Sequence, residues 1–305
     1  MALEKKRLLV AKLEGTYGVD AVPTGAQAIQ CSDLTITPLE NDSVDRTLVR
    51  PFLGGMDKLV SGARVKIEAS AELAGSGVAG TAPNVDVLLR ACGMAAVATA
   101  SVSVAYNPIS AGFESATLYF NQDGLLHKAT GSRGTWSLEM TAKGIPKLKF
   151  TMTGIYNPVV DAAQLAPTFS AVQIPVLVGP ATTIALHGFS GRVQSLNINL
   201  GANIAYRELV NYKGVELTDR DVEGDITLEM PTIAAKNWFD AALTVGTGAL
   251  AVVHGATAGN IVQIDAPRGS VNSPAYEYAD GITMLKMGIA LTPLAGNDEI
   301  KLTFR

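Results

Sequence analysis

The sequence contains the stretch Arg46-Thr47-Leu48-Val49, followed nineteen positions after its arginine by Val65-Lys66-Ile67-Glu68. The same arrangement occurs a second time, with Arg207-Glu208-Leu209-Val210 nineteen positions before Ile226-Thr227-Leu228-Glu229. Any one of these matches is weak, but an ordered series at equal spacing is hard to obtain by chance. We therefore interpret the chain as two tandem copies of one module.

Each copy continues into a segment with the pattern of a short helix. These segments are Asn84–Gly93 and Asn237–Gly246, and each begins with Asn and ends with Gly. Asn is favoured at the helix N-cap, and Gly is favoured just beyond the C-terminus. Because so short a helix is marginal in isolation, we expect each one to pack against a sheet.

Alternating apolar and polar residues predict that the rest of each copy is β-structure. The clearest strand is Val65–Leu73, in which odd-numbered residues are apolar and even-numbered residues are polar, so that one face is buried and the other is wet. The predicted fold is mainly β. It consists of two tandem β-sandwich or barrel-sector domains, each flanked by a short α-helix and carrying a long β-hairpin loop.

The predicted organisation has four parts. Residues 1–30 form an N-terminal arm that is expected to dock on a neighbouring subunit, and residues 31–156 form the first domain. Residues 157–191 form a joint that several prolines interrupt, and residues 192–305 form the second domain. The length of 305 residues accommodates two domains of ordinary size.

Composition excludes some classes of protein. With 28 acidic and 24 basic residues, the chain lacks the basic character of a high-affinity nucleic-acid binder. Its charged fraction of 17% is below the roughly 25% of typical soluble domains, which suggests that partners cover some surface. Neither a signal-peptide core nor a stretch of about 20 apolar residues is found, so we expect synthesis in a cytoplasm and no membrane partner.

The sequence shows no pattern typical of catalysis. His127, His187 and His254 are the only histidines, and none lies near a Ser or Cys in an elbow-like context. Cys31 and Cys92 lack the spacing of a metal site, so we interpret them as buried thiols in a reducing compartment. We therefore predict a protein without catalytic residues, cofactor or metal.

A duplicated amphipathic sheet is typical of a ring subunit. Closing a ring removes the free sheet edges, and a ring whose two faces differ can stack into a filament. The polar loops Glu40–Gly62 and Gly201–Glu223 are the candidate stacking devices. The charged residues of these loops that we expect to take part in stacking are Asp42, Asp45, Arg46, Arg50, Asp57, Arg207, Glu208, Asp219 and Arg220.

The segment Leu8–Ala26, LLVAKLEGTYGVDAVPTGA, resembles the N-terminal signature of the major tail tube proteins of long-tailed, siphovirus-like bacteriophages. The hairpin, long-loop and helix pattern also resembles their fold, which contractile-tail tubes and the tube protein of type VI secretion share. The resemblance implies stacked hexameric or pseudo-hexameric rings around a lumen through which double-stranded DNA passes to the host. It also implies a location in the virion tail, assembly in the bacterial cytoplasm, and a tape-measure protein and tail terminator and tip proteins as partners.

Rings of this family are usually built from six single-domain subunits. Because this chain carries two copies, we predict a homotrimer with pseudo-sixfold symmetry. A basic lumen would bind the phosphate backbone and stall DNA, whereas an acidic or neutral one lets it slide. The candidate lumen residues are Glu68, Glu72, Glu139, Asp225 and Glu229.

Two other interpretations stay open at this point. One is a capsid-decorating or tail-tip structural protein, for which the stacking loops would be dispensable. The other is a two-domain β-rich enzyme, in which some of the carboxylates just named would form a hydrolytic pair instead of lying on the solvated face of a sheet.

Overall fold

A computed structural model describes residues 3–169 and 173–305. The protein is mainly β, as predicted. No helix in the described part of the chain is both long and apolar enough to cross a bilayer. The elements of the first half are β1 (Arg7–Leu13), β2 (Ala28–Ile29), β3 (Asp33–Asp45), β4 (Lys58–Glu72), α1 (Asp86–Ala91), β5 (Met94–Thr99), β6 (Ser103–Pro108), β7 (Ala116–Gln122), β8 (Leu125–Thr141), β9 (Lys147–Tyr156) and β10 (Val160–Asp161).

The second half follows with a similar series of elements. They are β11 (Thr182–Leu186), β12 (Val193–Asn199), β13 (Ala202–Leu209), β14 (Tyr212–Arg220), β15 (Val222–Glu229), α2 (Trp238–Leu243), β16 (Thr247–His254), β17 (Val262–Ala279), β18 (Ile282–Leu291) and β19 (Lys301–Phe304).

Strand pairing has the same order in the two halves. The first half pairs as β1–β7–β8–β9–β4–β3. The second pairs as β11–β16–β17–β18–β15–β12. All of these pairings are antiparallel, and each half has its helix between the corresponding strands. This common order is what two related modules would show.

Two strand pairings join the halves, β6 with β19 and β8 with β12, and the second of them makes one continuous sheet of the strands that share the polar surface described below. The end of β8 pairs with β12, with Ser137 opposite Asn199 and Glu139 opposite Asn197. A continuous eight-stranded path therefore runs β3–β4–β9–β8–β12–β15–β18–β17. Within the described residues, β3 pairs only with β4, and Asn272–Ala279 of β17 pair only with β18, so both ends of the path are open edges.

The apolar face of this path forms the core. Alternation along β8 buries Trp136, Leu138 and Met140 completely, and the corresponding alternation in the other strands extends the same cluster through both halves. The helices pack on this core: α1 contributes Leu88 and Leu89. Burying apolar surface stabilises a fold by roughly 25 cal/mol per Å². This packing holds the helices in place, because helices this short are marginal on their own.

The N-terminal segment differs from its prediction. Instead of forming an arm, β1 pairs over its whole length with β7, and Leu9 and Val10 are buried. Four consecutive apolar residues, Leu8–Ala11, are covered on both sides of the strand, a pattern that lacks alternation and therefore gives a weak strand signal. Similarly, β11 lies inside the predicted joint 157–191 but pairs with β16 of the second half.

The two long polar loops are mostly hairpin. β3 and β4 extend through the first loop and leave only residues 46–57 as its tip, while β13 and β14 occupy nearly all of the second. Two smaller differences concern the helix ends and a hairpin. Asn237 caps α2 by accepting from Asp240 N at 3.1 Å, but Asn84 does not cap α1, whose N-cap is Val85. The β5–β6 hairpin had no counterpart in the prediction.

Candidate assembly surfaces

A continuous polar surface covers one side of the eight-stranded path. Residues directly opposite each other in a sheet project to the same face. Glu139 lies opposite Lys147 of β9 on one side and Asn197 of β12 on the other. Asn197 in turn lies opposite Asp225 of β15, whose carboxylate accepts from the Asn197 amide at 3.1 Å. The polar side chains therefore continue without interruption across the β8–β12 pairing, where the two halves meet.

All five predicted lumen residues lie on this surface, which we call the polar face. Glu72 is opposite Lys147, which is itself opposite Glu139. Glu68 is four residues before Glu72 on the same strand, and Asp225 and Glu229 have the same spacing on β15. Strand geometry thus brings together five carboxylates that lie up to 161 positions apart in the chain (68 to 229).

The polar face is acidic. Its lysines pair with neighbouring carboxylates: Lys66 with Glu68 at 2.7 Å, Lys147 with Asp33 at 3.7 Å, Lys149 with Glu139, and Lys286 with Glu277 at 3.8 Å. Arg192 pairs with Glu229 at 2.9 Å. Within residues 3–169 and 173–305, Glu72, Glu223 and Asp225 have no basic partner. The carboxylates of the face are Asp33, Glu68, Glu72, Glu139, Glu223, Asp225, Glu229 and Glu277.

The β13–β14 hairpin is fastened to the first half. The Tyr17 hydroxyl accepts from Val215 N at 2.5 Å, and Arg133 donates to Val215 O at 2.8 Å and pairs with Glu216 at 2.9 Å. On the other strand, the Tyr206 hydroxyl donates to Ala63 O at 3.0 Å. Burial raises the pKa of Tyr17, which keeps its hydroxyl protonated. This hairpin therefore covers one end of the polar face.

Arg220 does not have the position expected of a stacking residue. Its guanidinium pairs with the buried Glu299 and donates to Ile109 O at 2.5 Å and to Asn297 Oδ1 at 2.6 Å. Glu208 is also engaged within the chain, where it accepts from Gly62 N at 2.7 Å. Of the predicted stacking residues on this hairpin, Arg207, Glu208 and Asp219 are exposed and Arg220 is half-buried.

The first hairpin instead projects from the molecule. Its predicted stacking residues Asp42, Asp45, Arg46 and Asp57 are exposed, whereas Arg50 is half-buried because it donates to the carbonyls of Gly54 and Gly55 and lies over the Phe52 ring. The tip also carries the exposed apolar side chains Leu48, Val49, Phe52 and Leu53, and the fractional exposure of Val49 is 105%. Exposed apolar residues grouped in this way indicate a contact surface.

The histidines and cysteines, which were considered as candidates for catalysis or metal binding, are held by packing and hydrogen bonds within the fold. His254 is buried against Thr182, with Oγ1 and Nδ1 2.8 Å apart, and burial lowers the pKa of all three histidines. Burial raises the pKa of Cys31 to about 12 and also raises that of Cys92, so both thiols stay protonated and poorly nucleophilic. No three His, Cys, Asp or Glu residues of the described part of the chain could hold a metal ion.

Sequence reasoning missed several residues that shape these surfaces. Tyr17 lies within the segment that carries the family resemblance, yet its partner Val215 is 198 positions away, so no local pattern identifies the contact. Tyr276 and Tyr278, at the free edge of β17, are more than half exposed. Their alternation with Ala275 and Glu277 was an available strand signal.

A profile of the phage tail tube protein family matches residues 5–304. The chain belongs to this family. The match covers both halves and so confirms, at the level of the family, the resemblance seen in Leu8–Ala26. A search of curated proteins found no sequence that matches the chain. The tail tube protein is thus a structural component of the phage virion that assembles with itself into a tube, and its mainly β fold agrees with that role.

Proposed function

We propose that three copies of this tail tube protein close a ring with pseudo-sixfold symmetry and that such rings stack into the tail tube. Each half supplies one sector. The observation that carries the proposal is the eight-stranded path: it already joins two sectors through β8 and β12, and it ends in one open edge at β3 and another at β17. Edges left open in a chain are completed when another copy pairs with them.

The polar face lines the lumen of this ring. The opposite face of the same strands is filled by the core, so only the polar face is available to a channel. Its lysines are already paired with carboxylates, and Glu72, Glu223 and Asp225 add negative charge. Such a lining repels the phosphate backbone, so DNA slides through without being held.

Rings stack through the projecting hairpin. The tip, residues 46–57, offers apolar side chains as well as charged ones, and it is the part of the hairpin farthest from the chain's own core. The β13–β14 hairpin serves a different purpose, since it fastens the two halves of one chain together. The stacking residues are therefore Asp42, Asp45, Arg46, Arg50 and Asp57 of the first hairpin. Arg207 and Asp219 are exposed on the second hairpin, outside the projecting tip.

The division of the chain follows from the same arrangement. The first domain covers residues 31–156 together with β1, and the second covers residues 192–305 together with β11, because each of these added strands pairs within that half. The tape-measure protein occupies the lumen during assembly, and terminator and tip proteins meet the two ends of the tube. The protein has no catalytic role. The family assignment favours this tube over a capsid-decorating or tail-tip protein.

Native mass spectrometry and electron microscopy of the purified protein test the proposal. The expected species is a ring of three 31.8 kDa chains, and images along the tube axis should show six similar sectors around a channel. A ring of six chains would contradict the trimer but leave the tube intact. A protein that stays monomeric at all concentrations and ionic strengths would overturn the proposal as a whole.

A further inference from the structure

We infer that the contact between neighbouring chains repeats the strand pairing found inside the chain. In this arrangement, β3 of one copy pairs antiparallel with Ala275–Ala279 of β17 in the next copy, with Thr35 opposite Glu277. The inference rests on the proposed ring and specifies its partner, its edges and its register.

The register follows from matching bulges in the two halves. Ala116 lies opposite Ser132 at the bulge between β7 and β8, and Gly248 lies opposite Gly269 at the bulge between β16 and β17. Ser132 and Gly269 are therefore equivalent positions. Two rows of directly opposite residues run across the sheet from the positions three residues after Ser132 and Gly269. The rows are Thr135–Thr151–Glu68–Thr35 in the first half and Asn272–Gly288–Asp225–Asn197 in the second.

Thr35 is thus the first-half equivalent of Asn197. A second pair of rows identifies the other partner. They are Glu72–Lys147–Glu139 in the first half and Glu229–Met284–Glu277 in the second. Glu277 is therefore the equivalent of Glu139, with the irregularity between Asn272 and Ala275 absorbing one residue. Since Glu139 pairs with Asn197 inside the chain, the equivalent contact between chains is Glu277 with Thr35.

The burial of apolar side chains supports applying the internal register to the contact between chains. In the β8–β12 pairing inside the chain, Leu138 lies opposite Ile198 and Met140 opposite Leu196, and all four side chains are at most 1% exposed. The equivalent residues at the open edges are left uncovered in the single chain. Tyr276 and Tyr278 are 54% and 77% exposed, and Leu34 and Ile36 are only partly buried. Pairing in the inferred register places Tyr276 opposite Ile36 and Tyr278 opposite Leu34, which buries the apolar edge of both chains.

The charges on the other face agree with the same register. Asp33 meets Ala279 and Thr37 meets Ala275, so no carboxylate faces another. A shift that placed Thr35 opposite Ala275 would bring Asp33 directly against Glu277, which is unfavourable. A slip by one residue would place both tyrosines opposite polar-face residues of the neighbouring β3, such as Thr35.

Disulfide trapping in assembled protein tests the register. In a Cys31→Ser background, Thr35→Cys combined with Glu277→Cys places the two Cβ atoms roughly 4.5–5.5 Å apart, close enough for a bridge after slight adjustment. We expect oxidation to convert most of the protein into covalent dimers and trimers on a non-reducing gel. The matched control, Thr35→Cys with Ala275→Cys, separates the Cβ atoms by roughly 7–8 Å and should give little product.

Electron microscopy of the same samples separates the inference from the proposed function. Rings or tubes that cross-link only through the control pair, or through neither pair, would overturn the register while leaving the ring in place. Amide hydrogen exchange of the unmodified protein provides a measurement that no cysteine can disturb. Exchange at residues 34–37 and 275–279 should slow together on assembly, and unchanged exchange in either segment would overturn the inference. Absence of rings in the unmodified protein would overturn both.

Discussion

At the scale of single residues, Arg220 shows how a charged side chain in a polar segment can serve the fold. The side chains of Arg220 and Glu299 are only 14% and 6% exposed. Their pairing connects the end of β14 to the segment before β19, and the two other Arg220 contacts, with Ile109 and Asn297, fix the same corner. A charge buried to this extent is tolerated because its partner is buried beside it.

Removing the guanidinium should therefore affect folding more than stacking. We expect Arg220→Ala to lower the free energy of unfolding of the single chain by about 3–5 kcal/mol, because Glu299 stays buried without its counter-charge. Chemical denaturation before assembly measures this. The control is Arg192→Ala, which breaks a pair whose arginine is 85% exposed and should cost about 1 kcal/mol or less. If the Arg220→Ala protein had unchanged stability but no longer formed stacked rings, the result would support the original prediction that Arg220 takes part in stacking.

At the scale of elements, the two long hairpins occupy equivalent places in their halves but have different surroundings. The β13–β14 hairpin is bound by Tyr17 and Arg133, whereas the tip of the β3–β4 hairpin has its contacts within residues 45–58. The first hairpin is therefore the one whose tip is available for contact with another copy.

Shortening that hairpin should separate ring formation from stacking. Replacing residues 46–57 with an Asn-Gly turn removes the tip but keeps the β3–β4 ladder, so we expect a folded protein that forms rings and no tubes. Electron microscopy measures the outcome. A matched control replaces Ser101–Val102, within the exposed β5–β6 turn, with the same dipeptide and should leave tubes intact. Normal tubes from the shortened protein would show that stacking uses another surface.

The alternation of apolar and polar residues predicted the strands that have one solvent-exposed face. Val65–Leu73 alternates because its even-numbered residues reach the polar face and its odd-numbered residues reach the core, and the structure agrees. Where both sides of a strand are covered, as in β1, alternation is absent, and the segment was assigned to an arm instead of to the sheet. Where small residues leave no contrast, as in Ala95–Ala98 of β5, the strand was missed. α2 was predicted through its Asn237 cap, which is a local interaction.

The surfaces were predictable only in part, because they depend on contacts between distant residues. Period-two spacing was enough to suggest that Glu68 and Glu72 share a face, and that Asp225 and Glu229 do. That the two pairs belong to one surface follows from the pairing of β8 with β12, which no single strand encodes. The partner of Arg220 is 79 positions away, so the sequence could not distinguish a buried ion pair from an exposed charge.

At the scale of the whole molecule, the proposed tube exposes DNA to the acidity of the polar face. We expect tubes carrying both Glu72→Lys and Asp225→Lys to bind linear double-stranded DNA at low salt and to release it as salt rises, because new lysines displace condensed counterions. Retention of labelled DNA by sedimented tubes measures this.

A charge-matched control carries Glu4→Lys and Asp161→Lys, which lie off the polar face and change the net charge equally. Unmodified and control tubes should retain little DNA. Equal retention by the control and by the Glu72 and Asp225 variant would show that the polar face is not what the DNA meets.

The unequal hairpins also limit how successive layers can be oriented. In the proposed three-chain ring, covalent linkage makes the two halves alternate strictly, so we expect a projecting tip at every second sector. One layer can then sit on the next in three rotational settings, where six identical sectors would allow six. We therefore expect the helical twist of the finished tail to be restricted by a difference between two hairpins of a single polypeptide.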